Sequence, residues 1–289
     1  MNYMDSNNFV LHAKSKQFYW EGHGQLSIKT FSNGKAHYRT SKGFFAVEES
    51  RYLLLNKGSY TISIDENKEV ESFCIFFKDG FAEGILNSLR ESNNRLLSDP
   101  FKNRNDIEFF EKTYDTSKTL LSQITKFKEN LPILENDPVG YEEQFHKLIQ
   151  IILFEHFDAW KEVESLRAVR NSTREELYRR ISIAHEYIRA YYDRPIKLNE
   201  IAQIACLSPN HLLRTYSQIY RKTPHQHISE FRVRKAKKLL TQLDFNMTDI
   251  TFELGLQNPV SFSKMFKQHV GISPIEFRKK VILDKKYKV

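Results

Sequence analysis

The chain has 289 residues, 40% of them hydrophobic, with 22 Phe and 14 Tyr, which is the make-up of a globular protein with room for two cored domains and excludes a disordered chain. No stretch approaches the roughly 20 apolar residues of a membrane helix, Met1 to Gln17 lacks the apolar centre of a signal peptide, and a cytoplasmic protein is expected. The net charge of +8 is uneven: residues 171–289 hold 22 Lys+Arg against 11 Asp+Glu, the remainder 22 against 25, as expected of a polyanion-binding domain joined to a near-neutral one.

The first eighty residues have the period of strands. Tyr52 to Leu55 is an apolar run, Asn56-Lys57-Gly58 reads as a turn, and Tyr60, Ile62 and Ile64 then alternate with polar residues. Phe73, Ile75 and Phe77 alternate again before Asp79-Gly80, and Asn33-Gly34 has the form of a hairpin turn. Short strands between such turns predict an antiparallel barrel or sandwich. From Phe81 the spacing becomes helical, with Ile107, Phe110, Tyr114, Leu121, Ile124 and Phe127 on one face. Lys126 to Val139, with Pro132 and Pro138, reads as a loop, and helical spacing resumes at Phe145, Leu148, Ile149, Ile152 and Leu153. The stretch from Phe145 to Phe157 is a candidate dimer surface, packing onto its own barrel being the alternative.

The charged segment 161–175 is expected to link a domain at 1–160 to a second at 176–289, which reads as helical throughout. Cys74 and Cys206 are far apart, so partly buried thiols are expected rather than a disulfide framework or zinc site. His12, His23 and His37 are isolated in sequence, and neither a metal nor another cofactor is predicted.

The most specific feature is a repeat. Ser208-Pro209 and Thr223-Pro224 lie 15 residues apart, as do Asn258-Pro259 and Ser273-Pro274, and the two sets are offset by 50. Ser, Thr and Asn cap helix N-termini by accepting an orphan backbone N–H, and Pro suits the next position because no helical hydrogen bond is lost there. Thr223 with Gln226 and Ser273 with Glu276 also have the form of capping boxes. Four helix starts are thus written at matched spacing. Leu212 corresponds to Phe262, Arg214 to Lys264 and Tyr216 to Phe266. Before each long helix lies a shorter one, Ile201 through Cys206 and Ile250 through Gly255, now at offset 49. Asn246 with Asp249 can cap the second of these, whereas Lys197 is a poor cap for the first.

A short helix, a tight turn and a capped helix with a polar outer face make a helix-turn-helix, whose second helix can enter the major groove of DNA. On the outer faces stand Asn210, His211, Arg214 and Gln218 in one unit, and Ser261, Ser263, Lys264 and Gln268 in the other. Between the units, Pro224 to about Gln242 carries an apolar stripe of Ile228, Phe231, Ala236, Leu239, Leu240 and Leu243, with Arg232, Arg234, Lys235, Lys237 and Lys238 elsewhere. Such a linker helix could hold two recognition helices about one DNA turn apart.

At this point the sequence resembles the AraC/XylS family of bacterial transcription regulators over about residues 176–280. The resemblance rests on Ile201-Ala202, Leu207-Ser208-Pro209, Leu212, Arg214 and Thr223-Pro224, on Phe231-Arg232, Arg234 and Ala236 through Leu240, and on Asp249-Ile250, Gly255, Ser261 through Lys264, Phe266-Lys267, Gly271, Ser273-Pro274 and Phe277-Arg278. It implies that Asn210, Leu213 and Arg214, then Val260, Ser263 and Lys264, meet bases or backbone. With Ser208, His211, Gln218, Asn258, Ser261, Lys267 and Gln268 they form the candidate DNA-contacting set. Leu213 and Val260 are apolar where the family is often polar, which suits a thymine methyl. Thr251 stands where Ala is usual, and Cys206 where Gly is common.

Arg51 through Gly58 and Phe76 through Ala82 resemble parts of the family's cupin-type sensor barrel. The expected fold is therefore α+β: an N-terminal cupin-like β-barrel with a helical segment, then an all-α domain of two helix-turn-helix units joined by a linker helix. The expected function is sequence-specific DNA binding in transcription regulation, without enzymatic activity. Double-stranded DNA is the expected partner; RNA polymerase, a small effector and a second protomer are further candidates, and no membrane is expected. The competing readings are a helix-turn-helix module that binds protein and a cupin enzyme with a helical tail.

Overall fold

The computed structural model describes residues 7–90, 107–134, 136–166, 171–242 and 244–286. They form two compact units, Met1–Glu175 and Glu176–Val289. In the first, strands β1 (Phe9–Gly24), β2 (Ser27–Ser32), β3 (Lys35–Thr40), β4 (Gly43–Glu48), β5 (Arg51–Leu55), β6 (Gly58–Phe76) and β7 (Lys112–Asp115) build one antiparallel sheet in the order β4-β3-β6-β2-β5-β7. β1 pairs along the other edge of β6, and the sheet curls into a nearly closed barrel.

Period-two alternation divides the side chains between two cores. Leu53, Leu55, Tyr60, Ile62, Ile64, Cys74 and Phe76 fill one. Tyr52, Leu54, Phe73, Ile75 and Phe77 point the other way, into a second core shared with helices α1 (Phe81–Arg90), α2 (Lys118–Leu134) and α3 (Pro138–Glu164). Phe145, Leu148, Ile149, Ile152 and Leu153 of α3 are buried in that core, so this stripe is not a dimer surface; Val139, Phe154 and Phe157 are the large apolar side chains that α3 leaves exposed.

Three sequence expectations are corrected. Asn33-Gly34 closes no hairpin: β2 and β3 both pair with β6, so the chain only kinks there as it runs along one partner. Residues 112–115 are strand, not helix, because Tyr114 lies opposite Tyr52 and stacks on it at 5.2 Å. The expected loop at 126–139 is mostly helix: α2 continues through Pro132, with Leu131 and Leu134 packed in the core, and Asp137 caps α3 by accepting the Gly140 N–H at 3.0 Å. The expected linker is also largely helical, α3 running to Glu164 and α4 (Asn171–Tyr191) starting before residue 175, with Val163 and Leu166 buried among the charges; residues 167–170 lie outside the described residues. Of the two thiols, Cys74 is buried and Cys206 exposed. Among the described residues no group of three or more His, Cys, Asp or Glu is arranged to hold a metal ion, and no helix is long and apolar enough to cross a membrane.

A groove of about 620 Å³ opens between α2 and the sheet, lined by His12, Phe31, Phe73, Ile124 and Lys128 among others. On its wall the Glu71 carboxylate accepts from Lys128 Nζ at 2.6 Å, His12 Nε2 at 2.9 Å and Ser32 Oγ at 3.1 Å. Lys128 first, then His12, hold the Glu71 carboxyl down at about 2. A carboxylate whose pKa is depressed in the fold stabilises it above the unfolded value, and that contribution fades as pH falls from about 4.5 toward 2. Thermal melts across this window should therefore show a steeper acid loss for the wild type than for Glu71→Gln; superimposable pH profiles would mean that the carboxylate contributes nothing.

Candidate nucleic-acid interface

The second unit is built from the C-terminal part of α4 and from α5 (Leu198–Ile204), α6 (Pro209–Tyr220), α7 (Pro224–Leu240), α8 (Met247–Glu253), α9 (Pro259–Val270) and α10 (Pro274–Lys286). The repeat is realised in three dimensions: a seven-residue helix, a turn and a twelve-residue helix occur twice. Both turns pass through a left-handed residue, Cys206 at φ +51° and Gly255 at φ +66°. Both close with the same bond, Leu207 N–H to Ala202 O at 2.9 Å and Leu256 N–H to Thr251 O at 3.1 Å. Cysteine therefore fills a position where glycine is common without changing the turn. Thr251 fits where alanine is usual because its hydroxyl donates to Met247 O at 2.7 Å, which satisfies the buried polar group.

All four predicted N-caps form. Ser208 Oγ accepts the His211 N–H at 3.3 Å and Asn258 Oδ1 the Ser261 N–H at 2.8 Å. Thr223 and Ser273 make reciprocal boxes with Gln226 and Glu276. Asn246 and Asp249 make another on α8, while Lys197 supplies no side-chain cap to α5.

Each long helix buries one face and offers the other. Leu212 and Tyr216 of α6, like Phe262 and Phe266 of α9, are fully buried; Ile201 and Ala205, then Ile250 and Leu254, are buried beneath them. On α9 the whole candidate set, Asn258, Val260, Ser261, Ser263, Lys264, Lys267 and Gln268, is exposed. On α6 Ser208, Asn210 and Arg214 are exposed, whereas His211, Leu213 and Gln218 are half-buried. Neither Arg214 nor Lys264 has an ion-pair partner among the described residues, so both charges remain available to a ligand. Sequence reasoning passed over Arg221, an exposed cation at the end of α6 that takes the left-handed cap at φ +56°. The signal was present: Gly271 occupies the matching position, fifty residues on, at φ +87°.

Not every cation of the linker helix α7 faces outward. Arg232 donates to Tyr192 O at 2.7 Å and Arg194 O at 3.0 Å, and Lys235 to Glu253 O at 2.7 Å and to Asp193 at 3.2 Å. These two hold the 192–194 segment and α8 against α7, leaving Arg234, Lys237 and Lys238 exposed. Ile228, Phe231, Ala236 and Leu240 are buried, Leu239 partly so; Leu243 lies outside the described residues.

Residues 201–280 match the protein-family model described as a helix-turn-helix domain. The chain carries an AraC-type helix-turn-helix domain. Over 96 residues this AraC-type domain region is 33% identical to the uncharacterized HTH-type transcriptional regulator YisR of Bacillus subtilis, a third of each chain. Over 93 residues it is 27% identical to the melibiose operon regulatory protein of Escherichia coli, 32% of this chain and 31% of that protein. It is also 31% identical over 107 residues to the bifunctional transcriptional activator/DNA repair enzyme AdaA of B. subtilis, 37% of this chain and 51% of that protein. The chain thus spans about a third to a half of the length of these curated relatives. Among solved structures, a single-substitution variant of apo ToxT from Vibrio cholerae covers 94% of this chain and 98% of its own at 14% identity, with a TM-score of 0.36.

Proposed function

We propose that this protein is a sequence-specific DNA-binding transcription regulator, without enzymatic activity, that acts in the cytoplasm. The observation that carries this reading is the duplication itself: two capped helices, each held by a buried apolar face, expose polar side chains and an unpaired cation, Arg214 in one unit and Lys264 in the other. Asn210, Ser263 and Gln268 supply hydrogen-bonding groups, Val260 at 77% exposure suits a thymine methyl, and the exposed lysines of α7 suit phosphates. The seventeen residues of α7 span about 25 Å, the right order for two recognition helices in successive major-groove segments. Selection of bound duplexes from a random pool by the full chain should recover a bipartite motif with half-sites on the order of 10 base pairs apart. Recovery of no motif, or binding insensitive to salt, would overturn the reading. RNA polymerase is the machinery on which such a regulator would act. The groove beside Glu71, with apolar Phe31, Phe73 and Ile124 and polar His12 and Lys128, is a place in the first unit suited to a small organic effector.

A further inference from the structure

The two helix-turn-helix units are anchored by different chemistry. Where the second buries Phe266, against Phe262 and Phe277, the first buries Tyr216. The Tyr216 hydroxyl lies 2.7 Å from Nδ1 of His185 on α4 and 2.8 Å from Nδ1 of His227 on α7. A hydroxyl carries one hydrogen. Between two neutral imidazoles it donates to one Nδ1 and accepts the N–H of the other, so the three groups satisfy one another. A single added proton preserves the relay, because one bare Nδ1 remains. With both rings charged, both Nδ1 atoms are donors. The hydrogen of the buried Tyr216 hydroxyl loses both acceptors, and two positive charges stand with ring centres 5.1 Å apart.

The surroundings do not favour that state. Glu186 and Arg189 approach from α4, Tyr220 from α6, Lys222 from the turn, and Glu230 and Arg234 from α7. Three cations thus face two carboxylates, and Glu230 is already paired with Lys222 at 2.7 Å. Burial, reinforced by Lys222, Arg189 and Arg234 against the pull of Glu230, lowers the pKa of His227 below the usual histidine value. A base with a depressed folded pKa stabilises the closed arrangement above its unfolded pKa, and that stability is lost as pH falls below the ordinary histidine range.

We propose that the His185–Tyr216–His227 relay makes the packing of the first recognition helix acid-labile while the second stays indifferent to the same change, so that acidification disables one half of the DNA reader. The consequence for DNA rests on the function proposed above; the test of the relay uses no DNA. Hydrogen exchange of the full chain, corrected for intrinsic rates, is measured at about pH 7.5 and about pH 5.5, on either side of the ordinary histidine range. Protection over residues 209–220 should fall about tenfold or more between the two, and protection over 259–270 should stay level, because its own His269 is exposed on the last turn and its Nδ1, 2.9 Å from Met265 O, donates there in either protonation state. The double variant His185→Asn with His227→Asn, whose amides reach the Nδ1 positions without titrating, should lose the difference.

Level protection over 209–220 in the wild type, parallel loss in both helices, or undiminished acid sensitivity in the double variant would overturn the proposal. Should the double variant fail to fold, a histidine-ring NMR titration of the wild-type chain decides: the His185 and His227 signals must move together with the backbone amides of 209–220, and titration that leaves those amides unmoved overturns it. An asymmetric exchange result beside a failed duplex selection would uphold the relay and sink the regulator reading.

Discussion

Replacing Gly255 with alanine should lower the unfolding free energy of the helical unit by about 2–5 kcal/mol. Two causes add. The residue sits at φ +66°, a conformation that disfavours any side chain, and a Cβ there would stand 2.5 Å from the carbonyl carbon and oxygen of Asp193 and 2.6 Å from the nitrogen of Arg194. Those are backbone atoms, and they cannot move aside cheaply: Arg232 grips the carbonyls of Tyr192 and Arg194, and Lys235 holds the Asp193 carboxylate. Gly271 provides the control. Its φ is +87° but nothing lies within 4 Å of a built Cβ, so Gly271→Ala should cost only the conformational part, about 1–2 kcal/mol. Urea unfolding of the three proteins measures both, and equal losses would refute the close-approach account. Cys206 shows why the first unit has no such need: the turn itself accepts a side chain when the Cβ points to solvent.

What could be read from the sequence was what local chemistry dictates. Ser208, Thr223, Asn258 and Ser273 announced helix starts because a cap and a following proline act within three residues of each other, and the structure makes all four bonds. The offset of 50 carried the correspondence of Tyr216 with Phe266 into matching buried positions. The failures share the opposite property. Residues 112–115 became strand through a partner some sixty residues away, Tyr52, which no local period reveals. Asn33-Gly34 has hairpin chemistry, yet β6 is long enough to pair with both flanking strands, and that length was broken in the sequence by the polar run between Asp65 and Glu69. The sixteen-residue β1 went unread because its outer residues face solvent and blur the alternation. In the candidate interface, charge alone could not separate Arg232 and Lys235, which hold the fold together, from Arg214 and Lys264, which are left for a ligand.

That separation sets the second prediction. Arg214→Ala and Lys264→Ala should each weaken binding to a selected duplex by about 1–3 kcal/mol. The two side chains belong to different helix-turn-helix units and share no partner, so the losses should add, and the double variant should bind about 2–6 kcal/mol more weakly, roughly 30-fold to more than 10,000-fold. Neither side chain is buried or bonded to the protein, so thermal stability should stay within about 0.5 kcal/mol of wild type, and a binding loss cannot be laid to unfolding. Anisotropy titrations at several salt concentrations divide the roles further. A cation on a phosphate lowers affinity for every sequence and reduces the salt slope by about one when removed, whereas one on a base edge relaxes the preference at a single position of the motif. A double variant that binds within a few-fold of wild type would remove α6 and α9 as the interface, whatever the rest of the domain does.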